Sequence, residues 1–296
     1  MSSPNAPPNA PPSAPPNAPP PPAGPSERAP APQPMSIVAA MGWAFGVTFA
    51  FIVLRSLTLA VRPASTYDLV AQLSCQAIAY LLGLFLILRV HAPHASIRAT
   101  IGLRPTHAAF YPLAVLLGLA VEIPADGLYD ALVRRWPTGV EDKFAEVYRE
   151  SSSPRRALIA LLLIVAGPAL EEIFFRGALF RPLLKAHPVE VVVGVTAVLF
   201  ALAHLEWQMF LPIGLVGLAL AFLRQRSGSL VPSFLLHGSF NAVSFALMAL
   251  GRPDASPFSR PVVAASSAAA LLLLGGIHLL GAGSATAERA RELDLA

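Results

Sequence analysis

Apolar runs of bilayer length recur along this chain. Ala157 to Ala166 reads Ala-Leu-Ile-Ala-Leu-Leu-Leu-Ile-Val-Ala, and comparable stretches lie at about 36–61, 69–89, 108–124, 157–184, 188–206, 209–224, 230–250 and 261–282. About 20 apolar residues cross the ~30 Å hydrocarbon layer as a helix. In lipid the backbone must satisfy its own hydrogen bonds, which leaves only helices and closed barrels. Runs this long and uninterrupted select the helix. The composition agrees: 55% of residues are hydrophobic and 13% charged, against about 25% charged in soluble domains. The expected fold class is all-α, a polytopic membrane helical bundle of about eight transmembrane helices, with the chemistry in the fourth to seventh.

The flanks divide the chain into three parts. Residues 1–34 hold half of the chain's 30 prolines in repeats such as Pro-Asn-Ala-Pro-Pro, and have too little apolar bulk for a core. They are expected to be a disordered Pro/Ala-rich tail. Residues 35–282 form the transmembrane domain, and 283–296 a polar C-terminal tail. Pro124 is expected to end the third span. The stretch 125–156, with Glu141, Asp142, Lys143, Glu146 and Arg149, then holds an amphipathic surface helix.

Several function classes drop out. The pI near 9.6 comes from basic residues scattered between apolar runs, a membrane-loop pattern, so no nucleic acid partner is expected. The single cysteine, Cys75, allows no intramolecular disulfide and no cysteine metal cluster. Arg89, Arg98, Arg104, Arg181, Lys185, Arg224 and Arg226 follow the second, fourth and sixth spans. This bias favours both termini in the cytoplasm, in the cell (inner) membrane.

Polar residues inside the spans carry the functional signal. The fourth reads Gly167-Pro168-Ala169-Leu170-Glu171-Glu172-Ile173-Phe174-Phe175-Arg176. An ionisable group near the centre of a span costs roughly 2.5–3.5 kcal/mol on insertion scales, so it marks function or a partner. Glu172 and Arg176 are four apart and share a helix face, so they are expected to pair. Glu171 is turned about 100° away. The fifth span contains Phe200-Ala201-Leu202-Ala203-His204, and the seventh His237-Gly238-Ser239-Phe240-Asn241. Glu206 and Gln208 follow His204 and are expected at the interface. In an antiparallel hairpin turning near Ala186, Glu171 lies about 20 Å and His204 about 24 Å from the turn. His237, about 10 Å in, is shallower, and Asn241 lies about 17 Å in.

A carboxylate and an imidazole on one water make a general base. A second histidine and an asparagine amide are donors suited to a developing oxyanion. Glutamate with two histidines is also the ligand set of a hydrolytic zinc site with an open position. Both schemes amount to water-driven amide hydrolysis within a membrane. A proton-coupled transporter using the same groups would require inverted repeats, and the ionisable core lies only in the second half.

The three motifs resemble those of the CAAX prenyl endopeptidase and bacteriocin-processing family of intramembrane proteases, which includes lysostaphin-resistance-type proteins. Its pattern is met in order by Glu171-Glu172-x-x-x-Arg176, Phe200-x-x-x-His204 and His237-x-x-x-Asn241, over about residues 140–250. The resemblance implies an intramembrane endopeptidase acting on a membrane-anchored peptide or protein, either a prenylated C-terminus or a leader peptide. It implies that Glu171 and His204 activate water, that His237 and Asn241 line the oxyanion site, and that Glu172 and Arg176 support them. If a divalent metal such as zinc is present, Glu171, His204 and His237 would be its ligands. A non-proteolytic scaffold or immunity factor of the same fold is the alternative.

Overall fold

The computed structural model describes residues 33–137, 143–250 and 258–294. The expected disordered tail at 1–34 lies outside them except for Gln33 and Pro34, as do Glu141 and Asp142 of the charged stretch. The described residues form helices α1 (Ile37–Val61), α2 (Leu69–His91), α3 (Ile97–Ile101), α4 (Phe110–Arg135), α5 (Lys143–Glu150), α6 (Ser153–Leu184), α7 (Val189–Leu202), α8 (Trp207–Ser227), α9 (Leu230–Ala249) and α10 (Arg260–Asp294). Among them, seven are long and apolar enough to cross a membrane, and α7 is a shorter apolar helix. The protein is an integral, multi-pass membrane protein. Its apolar α10 segment ends at Gly281, and the backbone helix continues through the polar stretch to Asp294.

Two sequence expectations are corrected. Pro124 does not end the third span. A proline removes one N–H and frees the carbonyl four residues back, here that of Ala120. Ser266 Oγ on α10 donates to that carbonyl at 2.8 Å, and α4 runs through Pro124 to Arg135, 26 residues in all. The fifth span, expected over 188–206, is only the 14-residue α7. It stops because the chain turns at Ala203-His204, and Leu205 takes a left-handed φ of 61°. Among the described residues, the eight expected spans are thus seven membrane-length helices and one short apolar helix.

Local chemistry sets the helix starts. Ser36, Ser96 and Asp68 cap α1, α3 and α2 by accepting the backbone N–H groups of Ala39, Ala99 and Ala71, donors that would otherwise be orphaned. The helices of the core then approach closely at small residues, as bundles in lipid do. At Gly118 on α4, an added Cβ would fall 2.1 Å from Ser239 Oγ and 2.4 Å from the Leu236 carbonyl, so α9 lies directly on α4. At Gly217 on α8 it would fall 3.2 Å from the Ala197 backbone of α7. Helix α6 runs through the middle, touching α2, α7 and α9. It is tied to the start of α2 by Arg155, which donates to Asp68 at 2.7 Å.

Two predictions follow from this packing. Gly118→Ala forces its methyl against a backbone carbonyl, and should destabilise by about 1–3 kcal/mol. Gly214→Ala, whose Cβ would meet Ala201 Cβ at 3.8 Å, should be near neutral. Unfolding midpoints in detergent compare the two. Burial alone pushes the Asp68 carboxyl up, but the Ala71 N–H and Arg155 outweigh it and hold the group below its usual value. A depressed carboxylate stabilises the fold above its unfolded value and loses that contribution as pH falls through the folded one. Wild type should therefore lose more stability than Asp68→Asn between about pH 5 and the folded value.

Candidate functional site

The glutamates lie on the one α-helical turn of an otherwise unusual segment. Two π-helical stretches, Leu162–Ala166 and Ile173–Leu179, flank Gly167–Glu172. In the first, N–H groups reach back five residues, as Gly167 N does to Leu162 O. Pro168, next in line, has no N–H for Leu163 O. Asn241 Nδ2 on α9 donates to that carbonyl at 2.8 Å. Gly238, one turn away, lets α9 approach, because a Cβ there would lie 3.1 Å from the Ile164 carbonyl. The helix that carries the glutamates is thus fastened to the helix that carries His237 at its irregular point. Such π-bulges occur frequently at functional sites.

Glu172 and Arg176 are both fully buried, and Arg176 Nη1 donates to Glu172 Oε1 at 3.0 Å, the pairing their spacing predicts. Arg176 Nη2 donates to the Gly217 carbonyl at 2.9 Å, and its guanidinium lies 4.4 Å from the centre of the Phe200 ring. Gly217 therefore does more than permit close packing: its carbonyl receives the buried cation. Glu172 Oε1 also accepts from His237 Nδ1 at 3.1 Å. Since a carboxylate oxygen can only accept, His237 carries its proton on Nδ1 there.

His237 Nε2 faces Glu171 Oε2 at 3.7 Å, which makes His237 the group joining the two carboxylates. The depth arithmetic placed it too shallow, because it assumed regular helical rise and parallel spans. His204 sits just past the end of α7, half-buried, with Nδ1 donating to the Phe200 carbonyl at 2.8 Å. In the neutral ring that bond places the proton on Nδ1 and the acceptor lone pair on Nε2. The Phe200 ring stands edge-on between the imidazoles, at 4.9 Å from His204 and 5.5 Å from His237. Asn241 gives one amide N–H to Leu163 and retains a second.

Sequence reasoning missed Gln76. Its Nε2, on α2, donates to Glu171 Oε1 at 2.6 Å, leaving Oε2 on the His237 side. Beside this bond is a cavity of about 10 Å3 lined by Gln76, Tyr80, Gly167 and Leu170, the room taken by one water. The available signal was an amide in an apolar span, a group that seeks a partner across helices. A wider cleft of about 450 Å3, lined by Trp136, Leu205, Glu206, Trp207 and Gln208, opens at the residues that follow His204 in the chain. Tyr129 donates to Glu206 at 2.9 Å. Gln208 is buried rather than interfacial, with Nε2 on the Trp136 carbonyl at 3.2 Å.

Among the described residues no group of three His, Cys, Asp or Glu side chains is disposed to hold a metal ion. Glu171 and His237 face each other, but His204 lies across Phe200. The three do not fit a zinc site as arranged.

If Gln76 positions the carboxylate, replacing it removes a hydrogen bond to a charged group, roughly 1.5–3 kcal/mol. Gln76→Leu should then lower kcat by about 10- to 100-fold with KM little changed. A rise in KM alone would make Gln76 a substrate contact instead.

No match to the chain is found among curated proteins or among solved structures. The model of one family, Rce1-like, described as type II CAAX prenyl endopeptidase Rce1-like, matches residues 153–243. That segment runs from the start of α6 into α9 and contains all three motifs, while Gln76 lies outside it. Over this helical core, the chain is similar to the Rce1-like type II CAAX prenyl endopeptidases.

Proposed function

We propose that the protein is an intramembrane endopeptidase that hydrolyses a peptide bond of a membrane-anchored substrate. The observation that carries this reading is the grouping of Glu171, Glu172, Arg176 and His237 in the interior of a membrane protein, within the segment that matches a peptidase family. The family description favours a substrate with a prenylated C-terminal Cys-aliphatic-aliphatic-X sequence.

In this scheme Glu171, with one oxygen anchored by Gln76, deprotonates the attacking water, and His204 comes round Phe200 to offer its Nε2 lone pair to that water as the site tightens on substrate. The hydroxide adds to the scissile carbonyl. The oxyanion is met by the second N–H of Asn241 and by His237 when Nε2 is protonated. The proton taken from water passes to the departing amine as the C–N bond breaks. Glu172 and Arg176 hold His237 in register. The cleft at the residues that follow His204 is the route by which the peptide arrives. No step is routed through a metal; any bound divalent ion would be a further component, measurable as metal content of the purified protein. A cytoplasmic placement of both termini, with the short α7 crossing the layer alongside the seven longer helices, completes the proposal.

The test uses purified protein in liposomes with a farnesylated peptide ending in Cys-aliphatic-aliphatic-X. Wild type should release the terminal tripeptide, and Glu171→Gln and His204→Ala should each lose about 10²- to 10⁴-fold. Equal cleavage by wild type and both variants would sink the assignment.

A further inference from the structure

Three arginines meet where α3, α6 and α8 end, and the acid that acts on them, Glu172, attracts Arg224 more weakly than Arg104 and Arg181 repel it. Arg104 follows α3, Arg181 lies in the last turn of α6, and Arg224 lies in the last turn of α8. The three are close enough for their charges to repel one another. Among the described residues none of them has a carboxylate partner.

Each guanidinium is held by a backbone carbonyl. Arg104 Nε donates to Gly228 O at 2.7 Å, Arg181 Nη1 to Ala99 O, and Arg224 Nε to Arg176 O at 3.0 Å. The loop around them is strapped shut. Leu230 N donates to Gly102 O, Thr106 Oγ1 to Ser227 O, and Ser229 Oγ to Arg104 O. Gly102 and Gly228, both at positive φ, leave room for Arg224 Nη2 and Arg104 Nη2, because a Cβ at either would fall 2.1 or 2.8 Å from those nitrogens.

Carbonyl capping explains one N–H of each side chain, and a guanidinium has five. Arg224 is the anomaly, since it is 4% exposed. Its neighbours are the Arg176 carbonyl and the Phe180 ring, 5.5 Å away, with Glu172 acting from beyond contact, and a buried cation without an anion in contact is costly. The cluster sits where the membrane-length helices α6 and α8 end and α9 begins. Guanidinium forks there match phosphate oxygens in geometry and charge, and basic pockets between transmembrane helices take lipid headgroups.

We propose that Arg104, Arg181 and Arg224 form a binding site for the headgroup phosphate of an anionic phospholipid. The site does not depend on the endopeptidase reading. The phosphate supplies the missing negative charge and joins the α3 loop to the ends of α6 and α8.

The experiment measures thermal unfolding of the full-length protein in neutral detergent with added phosphatidylglycerol, phosphatidylcholine or inorganic phosphate. Native mass spectrometry counts bound lipid in the same samples. Phosphatidylglycerol should raise the midpoint saturably, by about 5 °C at high occupancy, with one lipid retained. Arg104→Gln/Arg181→Gln should lose both the shift and the retained lipid. Arg62→Gln, an exposed arginine at the opposite end of α1, should keep both. An equal shift from phosphatidylcholine, or lipid retention by the double variant, overturns the site. If inorganic phosphate reproduces the shift, the ligand is a soluble anion and the lipid assignment fails.

Discussion

The Glu172–Arg176 pair governs the arrangement of the whole core. Both charges are withdrawn from water inside a membrane protein, where breaking such a pair by removing one member costs about 3–5 kcal/mol. The contact is a single bond rather than a bidentate fork. The remainder of each group must be met from elsewhere, and the neighbours do this one at a time. The Gly217 carbonyl comes from α8, the Phe200 ring from α7 and His237 from α9. Three helices are thereby drawn to one point on α6. The same convergence that makes the pair tolerable places a histidine against the adjacent Glu171.

Irregular backbone accomplishes what a regular helix could not. Pro168 and the two π-helical stretches free carbonyls within the span, and lipid offers those carbonyls no partner. Asn241 answers one of them, and Ser266 answers the carbonyl freed by Pro124. Prolines in these spans thus become docking points between helices. At Pro124 and Pro168 the lost backbone donor is replaced by a side chain from another helix, and the replacement ties those helices together.

Much of this was legible in the sequence. Apolar runs announce the bundle, and four-residue spacing announces both the ion pair and the shared face of His237 and Asn241. Three things were not legible, each for a physical reason. Pro124 reads as a stop unless Ser266, 142 positions later in the chain, is known to serve Ala120. His237 looked too shallow because π-turns, tilt and crossing angle are invisible to a ruler of 1.5 Å per residue. Gln76 gave only a weak sign, an amide among leucines. Its partner depends on α2 lying beside α6, which tertiary packing and the Arg155–Asp68 tie determine.

The shortness of α7 bears on how water reaches chemistry that requires it. Its 14 residues rise about 21 Å, well below the ~30 Å of a bilayer core. A lipid layer beside it has to thin, or polar groups have to occupy the remaining depth. The residues just past its end include His204, Glu206 and Trp207, the last set edge-on against Trp136 at the end of α4, a pair of the kind that anchors at an interface. The aqueous boundary is in effect drawn inward at this one corner. A hydrolytic centre can then sit inside the outline of the membrane while solvent needs to cross only a shallow, aromatic-rimmed threshold to reach it.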